Sequence, residues 1–198
     1  MGMTAQAYAQ LVAIDDNHIE LLASLIKAHK SRRILELGYG SGRTATAIAA
    51  AIAANGRPVR YDIVDNWLDN EGRPWASPEM LSPYARFHVA TEEAFVRSCR
   101  DRYDYILSDA DHNGSHQWFG LVYSELLAEG GIMACHDVTQ KDFPNLFGIY
   151  KACLRYKLPH MLFHNSSLPT ERCERGLLVI FKTPGLAPAK IPEDAALG

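Results

Sequence analysis

Apolar residues recur along this chain in two alternating periods, one near 3.6 residues and one in short runs. Over residues 14–29 they fall at Ile14, Ile19, Leu22, Leu25 and Ile26, the spacing of a helix face. Asn17 followed by Glu20 resembles a capping box at its start. Residues 34–37, Ile-Leu-Glu-Leu, read as a short buried strand with one acid in it. The alanine-rich run 44–54 suits a helix whose small-residue stripe, Ala45, Ile48, Ala49 and Ile52, sits close to a sheet; Asn55-Gly56 closes it. Strands follow at 59–64, which ends at Asp65, at 86–89 and at 103–108. Between the last two lies a helix over 91–100. A helix over 116–128 is closed by Gly130-Gly131 and leads to a strand at 132–135. The periodicity then predicts a helix over 143–156, with Phe147, Tyr150 and Leu154 as its core stripe, and a closing hairpin of 159–163 and 177–181.

Strands alternating with helices and ending in a hairpin predict an α/β fold. The expectation is a single doubly wound, Rossmann-like domain over residues 1–198, with a mostly parallel seven-stranded sheet and a C-terminal antiparallel hairpin. The Pro- and Ala-rich tail from 184 to 198 reads as loosely held. Residues 66–83, with Trp67, Pro74, Trp75, Pro78, Met80 and Pro83, read as a lid or recognition loop.

Composition changes this picture little, but it excludes classes of function. Hydrophobic content of 47% and charged content of 22% are ordinary for a globular protein. A net charge of -3, with no basic run longer than Ser31-Arg32-Arg33, argues against nucleic-acid partners. No apolar run approaches a membrane span of about 20 residues, and no signal-peptide pattern opens the chain, so the expected location is the cytoplasm. Cys99, Cys135, Cys153 and Cys173 are widely spaced and read as reduced thiols. His18 and His29 read as solvated or capping residues.

The candidate chemistry centres on Glu36-Leu37-Gly38-Tyr39-Gly40-Ser41-Gly42-Arg43-Thr44, between the first strand and its helix. Glycines there let backbone N–H groups approach a ligand at a helix N-terminus. A dinucleotide fingerprint wants G-x-G-x-x-G, whereas here the third glycine is Gly42 and position 43 is Arg. A P-loop wants Gly-Lys-Ser/Thr, which the chain lacks. The acid in the strand suits a ligand with an ammonium group. Asp65, a little over twenty residues past the glycines, sits where such folds place a carboxylate on ribose hydroxyls.

Glu-x-Gly-x-Gly-x-Gly resembles motif I of class I S-adenosylmethionine-dependent methyltransferases. The strings Asp109-Ala110-Asp111-His112 and His136-Asp137 resemble the small-molecule O-methyltransferases of that class, of the catechol and macrocin type. The likeness spans residues 14–182. It implies S-adenosylmethionine held by Glu36, Gly38, Tyr39, Gly40, Ser41, Gly42, Asp65, Trp67, Thr91 and Asp109, with adenine near Ala90-Thr91. It also implies a divalent cation, magnesium or manganese, on Asp109, His136 and Asp137. His136 departs from the usual carboxylate or amide partner, and imidazole is a poor magnesium ligand. His112 is the candidate general base, or it caps the next helix or orients a carboxylate. Asp111 caps that helix or holds His112, and His116 reads as a bystander. The implied acceptor is a small-molecule hydroxyl, with no nucleic acid and no membrane as partner. The loop 66–83, the stretch 138–150 and the loop 165–175 would shape the acceptor's place, and the aromatic ones suit a homodimer contact equally. The alternatives are an NAD-linked oxidoreductase, for which the chain lacks a Tyr-x-x-x-Lys pair, and a non-catalytic binding protein on the same fold.

Overall fold

The structure, a computed structural model, describes residues 16–66, 81, 83–139, 143–164 and 175–197. Ile14, Trp67, Cys173 and most of the two loops at 66–83 and 165–175 lie outside them. The described elements are α1 (Asp16–His29), β1 (Arg33–Leu37), α2 (Arg43–Asn55), β2 (Arg60–Asp65), β3 (Arg86–Val89), α3 (Glu92–Ser98), β4 (Tyr103–Ser108), α4 (Ser115–Leu121), β5 (Leu127–Cys135), α5 (Phe147–Arg155), β6 (His160–His164) and β7 (Gly176–Phe181). Their strands form one seven-stranded sheet in the order β3-β2-β1-β4-β5-β7-β6. The first five pair in parallel, and β7 runs antiparallel to both β5 and β6. The doubly wound sheet with its closing hairpin is as expected. No helix among the described residues is long and apolar enough to cross a membrane.

Central strands are mostly apolar because both faces are covered, with Glu36 and Asp62 as buried exceptions. Ile34, Tyr105, Leu107 and Val179 pack with Leu22 and Ile26 of α1 and Ala45 and Ile48 of α2. Leu35, Leu37, Ile106 and Met133 pack on the other face with Val96 of α3, Phe119 of α4 and Ile149 of α5. Alternate positions thus serve different layers, with β4 changing step between Tyr103 and Tyr105, where its register on β5 shifts.

Three features differ from expectation. On α5 the core stripe is Ile149, Ala152 and Cys153, because the helix turns that face toward the sheet; Phe147 and Leu154, read as core, are exposed, and Tyr150 is only partly buried. Gly130-Gly131 does not end a helix. It lies within β5, and the chain leaves α4 through a π-helical turn, Val122–Leu126. The stop is chemical: buried Lys182 donates to the carbonyls of Tyr123 at 2.8 Å and Leu127 at 2.9 Å, which the ending helix leaves without partners. The tail is not loosely held either. Ile191, Ala195 and Ala196 are buried, and Ser124 Oγ both donates to Ile191 O and accepts from Ile191 N. A β-carbon on Gly120 would run into Pro192 O, and one on Gly148 into Ala196 O. Glycine at these two helix positions lets the tail lie directly on α4 and α5.

Candidate active site

The sheet order reverses between β1 and β4, the point where open α/β sheets bind ligands beyond their strand ends. Here the glycine loop is fastened to both neighbours of β1. Gly38 N donates to Val64 O at 2.9 Å, and Asp109 N donates to Leu37 O at 2.8 Å. Gly38 has φ 97°, and a β-carbon there would collide with the Asp109 carbonyl. At Gly40, by contrast, a β-carbon would meet nothing within 4 Å. Its open side lies in the wall of a cleft of about 990 Å³.

That wall brings together Glu36, Gly38, Tyr39, Gly40, Ser41, Asp65, Thr91, Asp109, His112 and Asp137, residues predicted from distant parts of the chain. Asp65 Oδ2 accepts from Tyr39 N at 2.8 Å, which ties the end of β2 to the glycine loop. The Tyr39 ring packs edge-on against Phe87, so its backbone is the part beside Asp65. Thr91 caps α3 by accepting from Ala94 N at 3.2 Å. Gly42 is set back from this wall: it is the left-handed cap of α2, its carbonyl accepting from Thr46 N and Thr46 Oγ1. Trp67 lies outside the described residues.

Glu36 is buried beneath the loop and accepts from the Tyr61 hydroxyl. Burial, with Asp109 and Asp65 nearby, outweighs that bond and pushes its carboxyl up to about 8.

At the ends of β4 and β5, two acids and two imidazoles interlock. His112 Nε2 lies 2.8 Å from Asp137 Oδ2 and 3.6 Å from Asp109 Oδ1. His136 Nδ1 lies 3.4 Å from Asp109 Oδ1 and 3.3 Å from Asp137 Oδ1. Burial opposes charge on both rings, but the two carboxylates prevail, raising His112 to about 10 and His136 to about 9. Asp109 and Asp137 are held below the usual carboxylate range because the imidazoles overcome their burial. So placed, His112 is an imidazolium at neutral pH, an orienting cation until it loses that proton. Its ring lies 4.4 Å from that of Phe143.

Asp109, His136 and Asp137 each offer a ligand atom within 4.8 Å of the others. Asp137 Oδ1 is buried and accepts no hydrogen bond among the described residues. A buried carboxylate oxygen with His136 Nδ1 at 3.3 Å and Arg175 Nε at 3.9 Å, and no closer donor among the described residues, fits a divalent cation beside a second acid and an imidazole. The donor set favours manganese, iron or zinc over magnesium. Asp111 takes the helix-side role: its carbonyl accepts from Ser115 N at 2.8 Å and its Oδ1 from Asn113 N at 2.9 Å. His116 is buried on α4 with its pKa lowered by that burial, and it is no part of the cleft wall.

Residues 35–138 match the family model described as a methyltransferase domain. The chain belongs to that methyltransferase family. No curated protein matches its sequence. Among solved structures it is similar to the O-methyltransferase from Bacillus cereus in complex with S-adenosylhomocysteine, at 13% identity over 89% of this chain and 86% of that one, with a TM-score of 0.66. It is also similar to TomG from Streptomyces achromogenes, an O-methyltransferase of tomaymycin synthesis in complex with S-adenosylmethionine, at 15% identity over 91% of both chains and a TM-score of 0.63. A third is the S-adenosylhomocysteine-bound methyltransferase PaMTH1 of Podospora anserina, at 16% identity, 86% and 80% coverage and a TM-score of 0.60.

Among the residues of this methyltransferase site that escaped the sequence, Glu92 and His18 are buried. Glu92 is buried in the cleft wall, accepts from Ser115 Oγ at 2.7 Å, and is raised to about 7 by burial. In sequence it is one of two acids in a helix's first turn, where acids are common. His18, expected to be solvated or capping, is buried and hydrogen-bonded to His136 at 3.3 Å. Its signal was positional: it continues the apolar stripe of Leu22 and Ile26 by one turn.

Proposed function

We propose that the protein transfers the methyl group of S-adenosylmethionine to a hydroxyl of a small-molecule acceptor. The observation that carries this is the convergence of Glu36, Gly40, Asp65, Asp109 and His112 on one cleft at the sheet's switch point. An ammonium group finds Glu36 there, and ribose hydroxyls find Asp65 beside the glycine loop. A bound methyl sulfonium supplies a methyl group open to in-line displacement, so the protein's task is alignment and proton removal.

The acceptor hydroxyl belongs on the Asp109–His112–Asp137 side. The hydrogen bond from His112 Nε2 to Asp137 fixes the ring, and Phe143 limits its tilt. To take the acceptor's proton His112 must first be neutral, which its two carboxylate neighbours resist. A divalent ion on Asp109, His136 and Asp137 would supply Lewis acidity toward the acceptor oxygen and draw the carboxylates' charge away from His112. Oxygen–carbon bond formation, loss of the sulfonium's carbon–sulfur bond and transfer of the hydroxyl proton to His112 balance the reaction.

Titration calorimetry with S-adenosylmethionine and S-adenosylhomocysteine tests the cofactor. No heat at millimolar ligand sinks the reading. Methylation of an identified acceptor that survives chelation unchanged sinks the metal's part in it. His112→Ala is expected to lower kcat by about 10²–10⁴-fold, the usual contribution of a general base.

A further inference from the structure

The hydrogen bonds of His136 reach beyond the cleft. Its Nδ1 faces Asp109 and Asp137, while its Nε2 lies 3.3 Å from His18 Nδ1. The two rings meet edge to face, 5.4 Å between centroids and 78° between planes. His18 is 2% exposed, and it occupies the α1 stripe continued by Leu22 and Ile26, both at 0%. Apolar packing alone would be served there by another leucine. A polar group so placed needs a partner, and this one finds it 118 residues away.

We propose that His18 is a positioning residue that sets the tautomer of His136 and so aims its Nδ1 lone pair at a divalent cation between Asp109 and Asp137. A neutral imidazole carries one N–H and one lone pair. If Nδ1 is to be a ligand, the proton resides on Nε2, and a buried Nε2–H needs an acceptor. His18 Nδ1 is that acceptor, which in turn places the proton of His18 on its own buried Nε2, an atom that donates to no group among the described residues. The N-terminal helix thereby becomes part of the site. This rests on the reading of Asp109, His136 and Asp137 as cation ligands.

The test compares Mn²⁺ affinity, from the electron paramagnetic resonance signal of the free ion, for wild type, His18→Leu and His18→Asn, with thermal melts of each. His18→Leu removes the acceptor and is expected to weaken Mn²⁺ binding by about 10–100-fold, the usual loss for an outer partner of a metal ligand. His18→Asn, whose Oδ1 falls near the place of Nδ1, is expected to stay within about threefold of wild type because an acceptor remains. In the Zn²⁺-loaded wild type, long-range ¹H–¹⁵N spectra are expected to show His136 protonated at Nε2. Protonation at Nδ1 overturns the proposal. So does wild-type Mn²⁺ affinity in His18→Leu, or equal loss in both variants, which would mark a structural role. A wild-type protein that does not bind Mn²⁺ at all overturns the metal reading itself, a result distinct from failure of His18 alone.

Discussion

Asp62 and Glu36 are buried acids on neighbouring strands, and they are treated in opposite ways. The register of β1 and β2 sets Asp62 beside Leu35 and Glu36 beside Ile63, so their side chains leave opposite faces of the sheet. Asp62 accepts from Arg60 Nε at 2.7 Å, Arg86 Nε at 2.7 Å, His88 Nε2 at 2.8 Å and Tyr103 Oη at 3.0 Å. Burial would raise its pKa, but those four donors outweigh it and hold the carboxylate below its ordinary range. Glu36 has one donor among the described residues, Tyr61, and burial lifts it to about 8. A carboxylate that holds the scaffold together is compensated by the protein itself. One that lines the cleft, and is proposed to meet the cofactor's ammonium group, is left uncharged.

The strongest test of that contrast is to remove the scaffold acid. Asp62→Ala is expected to lower folding stability by about 2–3 kcal/mol, at or below the lower limit of about 3 kcal/mol for a broken buried pair, because half-exposed Arg60 and Arg86 can turn to water. Urea unfolding checks it, and binding of S-adenosylmethionine by the folded fraction should not change. The effect has a sign in pH. The folded pKa of Asp62 lies below its unfolded value of about 3.9, so its contribution is complete above about pH 4 and is lost as pH falls through the folded value. A stability loss that persists undiminished in strong acid would show that Asp62 acts by packing, not by charge.

Glu36→Gln should move binding more than folding. We expect affinity for S-adenosylmethionine to fall about 10–100-fold, equivalent to ~1.4–2.7 kcal/mol. Stability should change in the opposite sense from Asp62→Ala. The unfolded acid ionises near pH 4.3, whereas the folded one keeps its proton up to about 8, so wild-type stability declines as pH rises through that window. The glutamine variant escapes this decline and should be more stable than wild type at pH 8 but not at pH 4. Equal pH profiles for the two proteins would refute the uncharged carboxyl.

Much of this was legible in the sequence because each signal was local. β3 and β4 fall on the residues that their apolar runs predicted, and Gly56 closes α2 in the left-handed conformation expected of it. The rule that ligands gather at strand ends then assembled Asp65, Asp109, His112 and Asp137 without any coordinates. What stayed hidden depends on pairs far apart in the chain. The tail reads as loose because its Pro and Ala say nothing of the notches at Gly120 and Gly148 that receive it. Gly130-Gly131 reads as a helix stop because nothing nearby reveals that Lys182 supplies the stop from β7's far end. His18 reads as polar surface because its partner is His136.

If Glu36 is uncharged before the cofactor arrives, binding must release a proton. An ammonium group beside the carboxyl favours its ionised form, so at pH 7 up to one proton leaves on binding, and the release fades as pH rises past about 8. Calorimetry in buffers of different ionisation enthalpy measures this directly. A binding heat that is independent of buffer at pH 7 would mean that Glu36 is already charged, and its contrast with Asp62 would vanish.

The smallest change sharpens the comparison most. Tyr61→Phe removes the one donor that Glu36 has among the described residues and leaves the cleft's other groups in place. The loss of one buried hydrogen bond costs about 1 kcal/mol of stability. That bond also works against burial in setting the carboxyl's pKa, so without it the value should rise above about 8. Proton release on cofactor binding should then persist to higher pH than in wild type. An unshifted release profile would place control of Glu36 with its burial and the nearby charges of Asp109 and Asp65, and not with its hydrogen bond to Tyr61.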